Sequence, residues 1–164
     1  MDEADDVRGG TPERPAHAIR VEVSDRDIDV LGHANNVAYL RWVQDVAVAH
    51  SDAVGLTFER YRELGGVFVV RRHEIDYLRS ALHGEVLEVR TWIPRSMAAK
   101  VLRKTEVRRL TGEVLVRAET TWGYIDVRAL RPTRIPDSVR EAFGMPRTPR
   151  EAPPTTESPG DSSG

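Results

Sequence analysis

Residues 27–42, DIDVLGHANNVAYLRW, crowd two carboxylates, a histidine and two asparagines around one glycine and then run into a long apolar stretch. A carboxylate in such a setting can attack an electrophilic carbon or take a proton from water. Unpaired N–H groups and the positive end of a helix dipole, where the apolar stretch begins, can stabilise a developing anion. Asp29 stands a few residues ahead of that helix start, and Gly32 between them allows close backbone approach or a positive φ. By residue type alone, an Asp ahead of a helix is more often a cap than a catalyst. Asn35 fits a plain N-cap. His33 either orients Asp29 or touches substrate, or else it simply hydrogen-bonds the turn.

The elements that must position these groups follow from pattern. From Asn36 to Val54 there is no Gly or Pro, and Gly55 supplies a stop, so the stretch reads as one long helix. Arg41, Gln44, Asp45, Ser51 and Asp52 fall within an arc of roughly 120° at 100° per residue. Apolar residues fill much of the rest, so the helix is expected to be largely wrapped by other structure. His50 lies on that apolar face and reads as a core or interface histidine. Tyr39 reads as core, with one edge toward a ligand pocket. Strand patterns occupy AIRVEV near the N-terminus, then residues 67–78, 85–93, 100–110 and 113–127. The linkers RSALHG (79–84) and RLTGE (109–113) read as hairpin turns, and IPRSMA (93–98) as a turn or bulge. The expected fold class is α+β: a curved antiparallel sheet wrapped around one long central helix, which buries both apolar faces at once.

The chain has 164 residues, 40 % of them hydrophobic, a net charge of −2 and no cysteine. That length suggests one domain, expected over 18–144 between disordered tails at 1–17 and 145–164. The near-neutral charge gives no basic field for nucleic acid. Without cysteine there are no disulfides or thiolate sites, which fits a cytoplasmic setting. The acidic N-terminus does not read as a signal peptide, and no apolar run is long enough to span a membrane. His73 and His83 have no metal-ligand partners at standard spacing, and phosphate-loop, dinucleotide and zinc-protease signatures are absent, so no cofactor is expected. Arg71, Arg72, Arg95, Lys100, Arg103 and Lys104 can meet phosphates, although charged strand faces are usually just solvated.

Three stretches resemble one family. VEVSDRDIDVLGHANNVAYLRWVQD is similar to the first strand, catalytic loop and central-helix start of the 4-hydroxybenzoyl-CoA thioesterase-like acyl-CoA thioesterases, which have the hotdog fold. IDYLRSALHGEVLEVRTWI is similar to their second and third strands, and RPTRIP to a common closing segment. The resemblance implies hydrolysis of an acyl thioester, carried by coenzyme A or an acyl-carrier protein. It makes Asp29 the catalytic carboxylate, as nucleophile or general base, and the backbone N–H of Asn36 the oxyanion donor. His33 joins the catalytic set, and Gly32, Asn35 and Tyr39 the substrate-binding set. Where one branch of the group carries a histidine, this chain has Asn36. Asp27 has the wrong spacing to the glycine and reads as structural or solvated. The family implies a homodimer or homotetramer with sites at the subunit interface. Two other readings stay open. One is a hotdog hydratase or dehydratase imitated by Asp29 and His33, whose spacing is one residue short of that motif. The other is a non-catalytic acyl-thioester-binding protein.

Overall fold

The computed structural model describes residues 16–145. Strand β1 (His17–Glu22) leads through a 3₁₀ turn at Asp25–Asp27 to the long helix α1 (Asn36–Ala53) and the short helix α2 (Phe58–Leu64). Four long strands follow: β2 (Gly66–Tyr77), β3 (Val86–Ser96), β4 (Lys100–Arg109) and β5 (Val114–Asp126). The two-residue β6 (Arg131–Pro132) and helix α3 (Asp137–Ala142) close the domain. All pairings are antiparallel, in the order β1-β3-β4-β5-β2, with β6 on β5. The sheet curls around α1, which is the hotdog arrangement.

Helix α1 begins where the sequence places it because Asn35, in extended geometry, accepts from the N–H of Ala38 and satisfies one orphaned donor of the first turn. It stops at Gly55, whose φ of +82° continues no right-handed helix. Ala38, Tyr39, Trp42, Val43, Val46, Ala47 and His50 form its buried stripe. The opposite side is open: Val37 and Val48 are exposed along with Gln44 and Asp45. The helix was expected to be largely wrapped; within this chain the sheet covers its buried stripe and leaves one side open. A single sheet can curve around only one side of a helix, and here the other side faces out of the chain.

One linker behaves differently from its reading. RLTGE does join neighbouring strands, β4 and β5. IPRSMA turns β3 into β4 and shifts their register between Trp92 and Arg95. RSALHG is not a hairpin turn. β2 pairs with β5 along its length, from Gly66↔Asp126 to Tyr77↔Val116, while β3 lies between β1 and β4. The segment instead crosses the end of the sheet. Two intervening strands at about 4.8 Å spacing are within reach of eight extended residues. Helices α2 and α3 lie in stretches with no helix assignment from sequence. For α2 the signal was present: Thr57 caps it by accepting from Arg60 N, and Gly65 ends it at φ +71°.

The space between α1 and the sheet divides into three zones. Under the first half of α1 is an apolar core of Trp42, Val46, Leu87, Val89, Val107 and Val116. At the far end a second core gathers Leu56, Val101, Tyr124, Ile135 and Val139. Between them the inward face of the sheet turns polar, with buried Thr91, Arg103, Thr105 and Thr120 under His50. The register makes this a belt, since Thr91 pairs with Thr105 and Arg103 with Thr120. Most of the expected tails lies outside the described residues. Of the exceptions, His17 opens β1 opposite Thr91, and Met145 is buried in the second core, so order reaches further at both ends than the sequence reading placed it.

Candidate active site

The loop before α1 is a small hairpin. Ile28 and Ala34 form a bridge, Asn35 N donates to Asp27 O at 2.7 Å, and Asp29 N donates to His33 O at 2.8 Å. At its tip Gly32 N donates to Asp29 O at 3.0 Å with φ +79° at Gly32. A Cβ added at Gly32 would meet nothing within 4 Å. Of the two reasons for glycine here, the backbone conformation therefore applies, and close approach by the described residues does not.

The two acids of the motif have different surroundings. Asp27 is 1 % exposed and accepts from Ser24 N at 2.9 Å, from Ser24 Oγ at 2.8 Å and from Arg41 of α1. Burial alone would raise its pKa, but the bonds from Ser24 and Arg41 outweigh it and hold the carboxyl below its ordinary value. Asp27 is thus a bolt between the loop and the helix. Asp29 is only partly buried. Its Oδ1 accepts from Leu31 N at 2.8 Å and from His33 N at 3.3 Å, and its Oδ2 meets no donor among the described residues. One oxygen orients the group and the other is open. Helix capping belongs to Asn35, so the cap reading of Asp29 does not hold.

At the helix start the N–H groups of Asn36 and Val37 have no acceptor among the described residues, while that of Ala38 is taken by Asn35. Asn36 has an exposed side chain, and its carbonyl accepts weakly from Tyr77 OH at 3.4 Å. Counted along the hairpin, Asp29 and Asn36 are about three residue steps apart, or roughly 10 Å between Cα atoms at about 3.3 Å per step. That interval leaves room for a carbonyl between a carboxylate and an N–H donor.

The crossing segment braces this loop. Ala34 N donates to Ala81 O at 2.9 Å, and His33 bridges Leu82. Tyr39, 2 % exposed, accepts from Ala81 N at 2.8 Å through its hydroxyl. Burial raises the phenol's pKa, so it stays protonated at neutral pH. Arg109 ties the same segment down through Glu85 at 2.7 Å and Ser80 O at 3.1 Å.

The structure thus brings Asp29, Gly32, His33, Asn35 and Asn36 together in one hairpin and helix start. The ring of His33 makes no hydrogen bond among the described residues. Tyr39 lies behind the loop, packed edge-on to Trp42 and Tyr77. It does not line the apolar cavity of about 330 Å³ found at the other end of α1. Of the strand cations, Arg71, Arg72, Arg95 and Lys100 are exposed, but Arg103 is buried and lines that cavity. Its place among candidate phosphate contacts is therefore corrected. Position was the missed signal: Arg103 shares the period-two face of Val101, Thr105 and Val107, which all face inward. His83 meets Asp25 at 2.8 Å, and His73 Nδ1 meets Thr120 Oγ1 at 2.9 Å. No cluster of potential metal ligands occurs among the described residues.

Comparison with known proteins adds the following. The sequence profile of a family described as the thioesterase-like superfamily matches residues 23–143. A chloroplastic acyl-acyl carrier protein thioesterase of Arabidopsis thaliana, ATL2, is 26 % identical over 140 residues, which span 85 % of this chain and 74 % of that protein. A thioesterase from Thermus thermophilus, solved with coenzyme A and zinc, is 26 % identical with a TM-score of 0.71, covering 83 % of this chain and 100 % of that one. A 1,4-dihydroxy-2-naphthoyl-CoA thioesterase from Synechocystis, at 18 % identity and TM-score 0.72, covers 78 % of this chain and 95 % of that one and shares the fold.

Proposed function

Since the chain belongs to the thioesterase-like superfamily, a family of thioester hydrolases, we propose that it hydrolyses an acyl thioester at the Asp29 hairpin. The substrate is acyl-CoA or acyl-acyl carrier protein. Coenzyme A is bound in the Thermus structure, and the acyl-carrier protein is named for the Arabidopsis relative. The observation that carries the assignment is the half-held carboxylate of Asp29 set before two unpaired N–H groups of a helix start. The thioester carbonyl oxygen sits at Asn36 N–H, where the helix dipole adds to the donor. Asp29 Oδ2 then either attacks the carbonyl carbon or takes a proton from an attacking water. In the first route the C–S bond breaks, the thiolate leaves and is protonated, and water opens the acyl-aspartyl anhydride to restore the carboxylate. In the second, the water's oxygen forms the new bond and its proton passes through Asp29 to the leaving sulfur. Both routes need the same geometry. His33 lies opposite Asp29 on the hairpin and contributes position or a substrate contact, and Asn35 fixes the helix start.

The assembly is a homodimer or a pair of such dimers. The outer edge of β2 pairs with no strand among the described residues. Val30 and Leu31 at the loop tip and Val37 at the start of α1 are exposed apolar groups beside the site, and Val48 is exposed further along the open side of α1. A two-fold partner covers both kinds of surface. The cysteine-free sequence fits a cytoplasmic setting. Among the described residues no helix is long and apolar enough to cross a membrane.

The decisive experiment is thiol release from a panel of acyl-CoA and acyl-carrier-protein thioesters. Asp29→Asn should abolish most turnover with an unchanged melting temperature. Asp27→Asn should lower the melting temperature while sparing turnover per folded molecule. If Asp29→Asn keeps near-wild-type release, the assignment is wrong, and the reverse ranking of the two variants moves the role to Asp27.

A further inference from the structure

The cavity at the far end of α1 lies between that helix, α2 and the ends of β2 to β5. Eleven helical steps lead from Asn36 to Ala47 at its near wall, roughly 16 Å at 1.5 Å per residue. Phe58, Val67, Phe68, Ile93, Trp122 and Phe143 give it an apolar lining, and its volume of about 330 Å³ is at the small end of the range for organic ligands. Its lining hydroxyls are already engaged. Ser51 donates to Leu56 O at 2.8 Å, which leaves Tyr61 to donate to Ser51 at 2.9 Å.

Trp122 Nε1 meets no acceptor among the described residues, and Arg103 is the cation of this wall. Its side chain lies in the polar belt, 4 % exposed. Nη1 donates to His50 Nδ1 and to Thr91 Oγ1, both at 3.1 Å, and the guanidinium lies 5.8 Å from the Phe143 ring centre. Nε and Nη2 meet no acceptor among the described residues, and no carboxylate pairs with the group. The acid among the lining residues, Asp52, is exposed on α1 and forms no ion pair with Arg103. Burial and the facing guanidinium push His50 down to about 4, so its ring is neutral and acts as an acceptor. Burial lowers Arg103 only to about 10, which leaves it cationic at neutral pH. A buried cation held by neutral acceptors alone is costly unless an anion completes it.

We propose that this cavity binds the far end of an acyl group tipped with a carboxylate, which takes the two unused N–H edges of Arg103. The proposal rests on the thioesterase reading and gives it a substrate class: half-thioesters of dicarboxylic acids. Charge-assisted pairing with a guanidinium sets such substrates apart from plain fatty acyl groups. In an uncharged apolar cavity the carboxylate would instead be the poorer ligand, because it loses its hydration.

Equilibrium binding tests the cavity without turnover. Calorimetric titration of the full chain at neutral pH with octanoate and with octanol should show octanoate binding roughly ten- to a hundred-fold more tightly, the worth of one hydrogen-bonded charge pair. Arg103→Gln should erase or invert that preference while octanol still binds. Arg103→Lys, which keeps the charge and loses the fork, should retain part of it. Equal binding by the wild-type chain, or a preference for octanol, overturns the proposal whether or not the variants fold. So does a preference that Arg103→Gln leaves intact, since the carboxylate is then held elsewhere. In the kinetic arm, kcat/KM for a dicarboxylic half-thioester of coenzyme A relative to the matched fatty acyl-CoA should fall at least tenfold in Arg103→Gln, on the order expected for losing that pair. An unchanged ratio overturns the proposal. Absence of thiol release from every thioester would instead count against the thioesterase reading, with the octanoate preference intact.

Discussion

Replacing Asn36 by proline removes one backbone donor and little else. Asn36 is the first residue of α1, so its N–H has no intrahelical acceptor to lose. Proline restricts the residue before it to extended geometry, and Asn35 already has φ −72° and ψ 157°. The cap bond from Ala38 N to Asn35 at 2.8 Å does not involve Asn36. The exposed Asn36 side chain makes no hydrogen bond among the described residues. The expected cost to stability is therefore close to zero. If Asn36 N–H holds the oxyanion, its loss should lower kcat by about 10²–10³, or roughly 3–4 kcal/mol of barrier. The free N–H of Val37 sets what remains. Asn36→Ala is the matched control, because it deletes the side chain and keeps the N–H. The assay is thiol release from the best substrate of the panel, with thermal melts to show that both variants are folded. Equal activity in two well-folded variants would refute the backbone role. Equal and severe losses would transfer the function to the Asn36 side chain.

Two further outcomes are expected. His50 titrates at about 4 in the fold against an ordinary 6.5, so the unfolded chain binds the extra proton between those values. Its contribution to stability is fully present above pH 6.5 and is lost as pH falls toward 4, by roughly 3 kcal/mol. His50→Gln should flatten that part of the pH–stability curve measured by denaturant unfolding. His73, lowered by burial, acts in the same direction, so the difference between variant and wild type is the quantity to read. If the two slopes agree, the neutral His50–Arg103 contact is not what the geometry indicates. For assembly, light scattering at micromolar concentration should find a dimer or tetramer, and a monomer alone would count against a β2-edge partner.

What could be read from the residues alone was local. The bounds of α1 followed from Asn35, from the uninterrupted run to Val54 and from Gly55, because caps and stops act within one turn of chain. The long strands followed from alternation, which depends on neighbours two residues away. The hairpin of Asp29, Gly32, His33, Asn35 and Asn36 was legible for the same reason, since its groups meet within eight residues of sequence. The crossing of RSALHG was not legible. A short polar linker has the same composition whether it turns back on its neighbour or runs across the end of a sheet, and the choice belongs to strand pairing. That choice puts Ala81 and Leu82 behind the loop and gives Tyr39 its partner. Spacing to the glycine set Asp27 apart as structural or solvated, but it did not show the bolt, because Arg41 reaches Asp27 only once α1 docks on the loop. Arg103 is the clearest case. On a strand of frequent charges it looked like one more solvated cation. Only the curvature of the sheet under α1 turns its face inward, strips its water and sets it against His50, Thr91 and an apolar cavity.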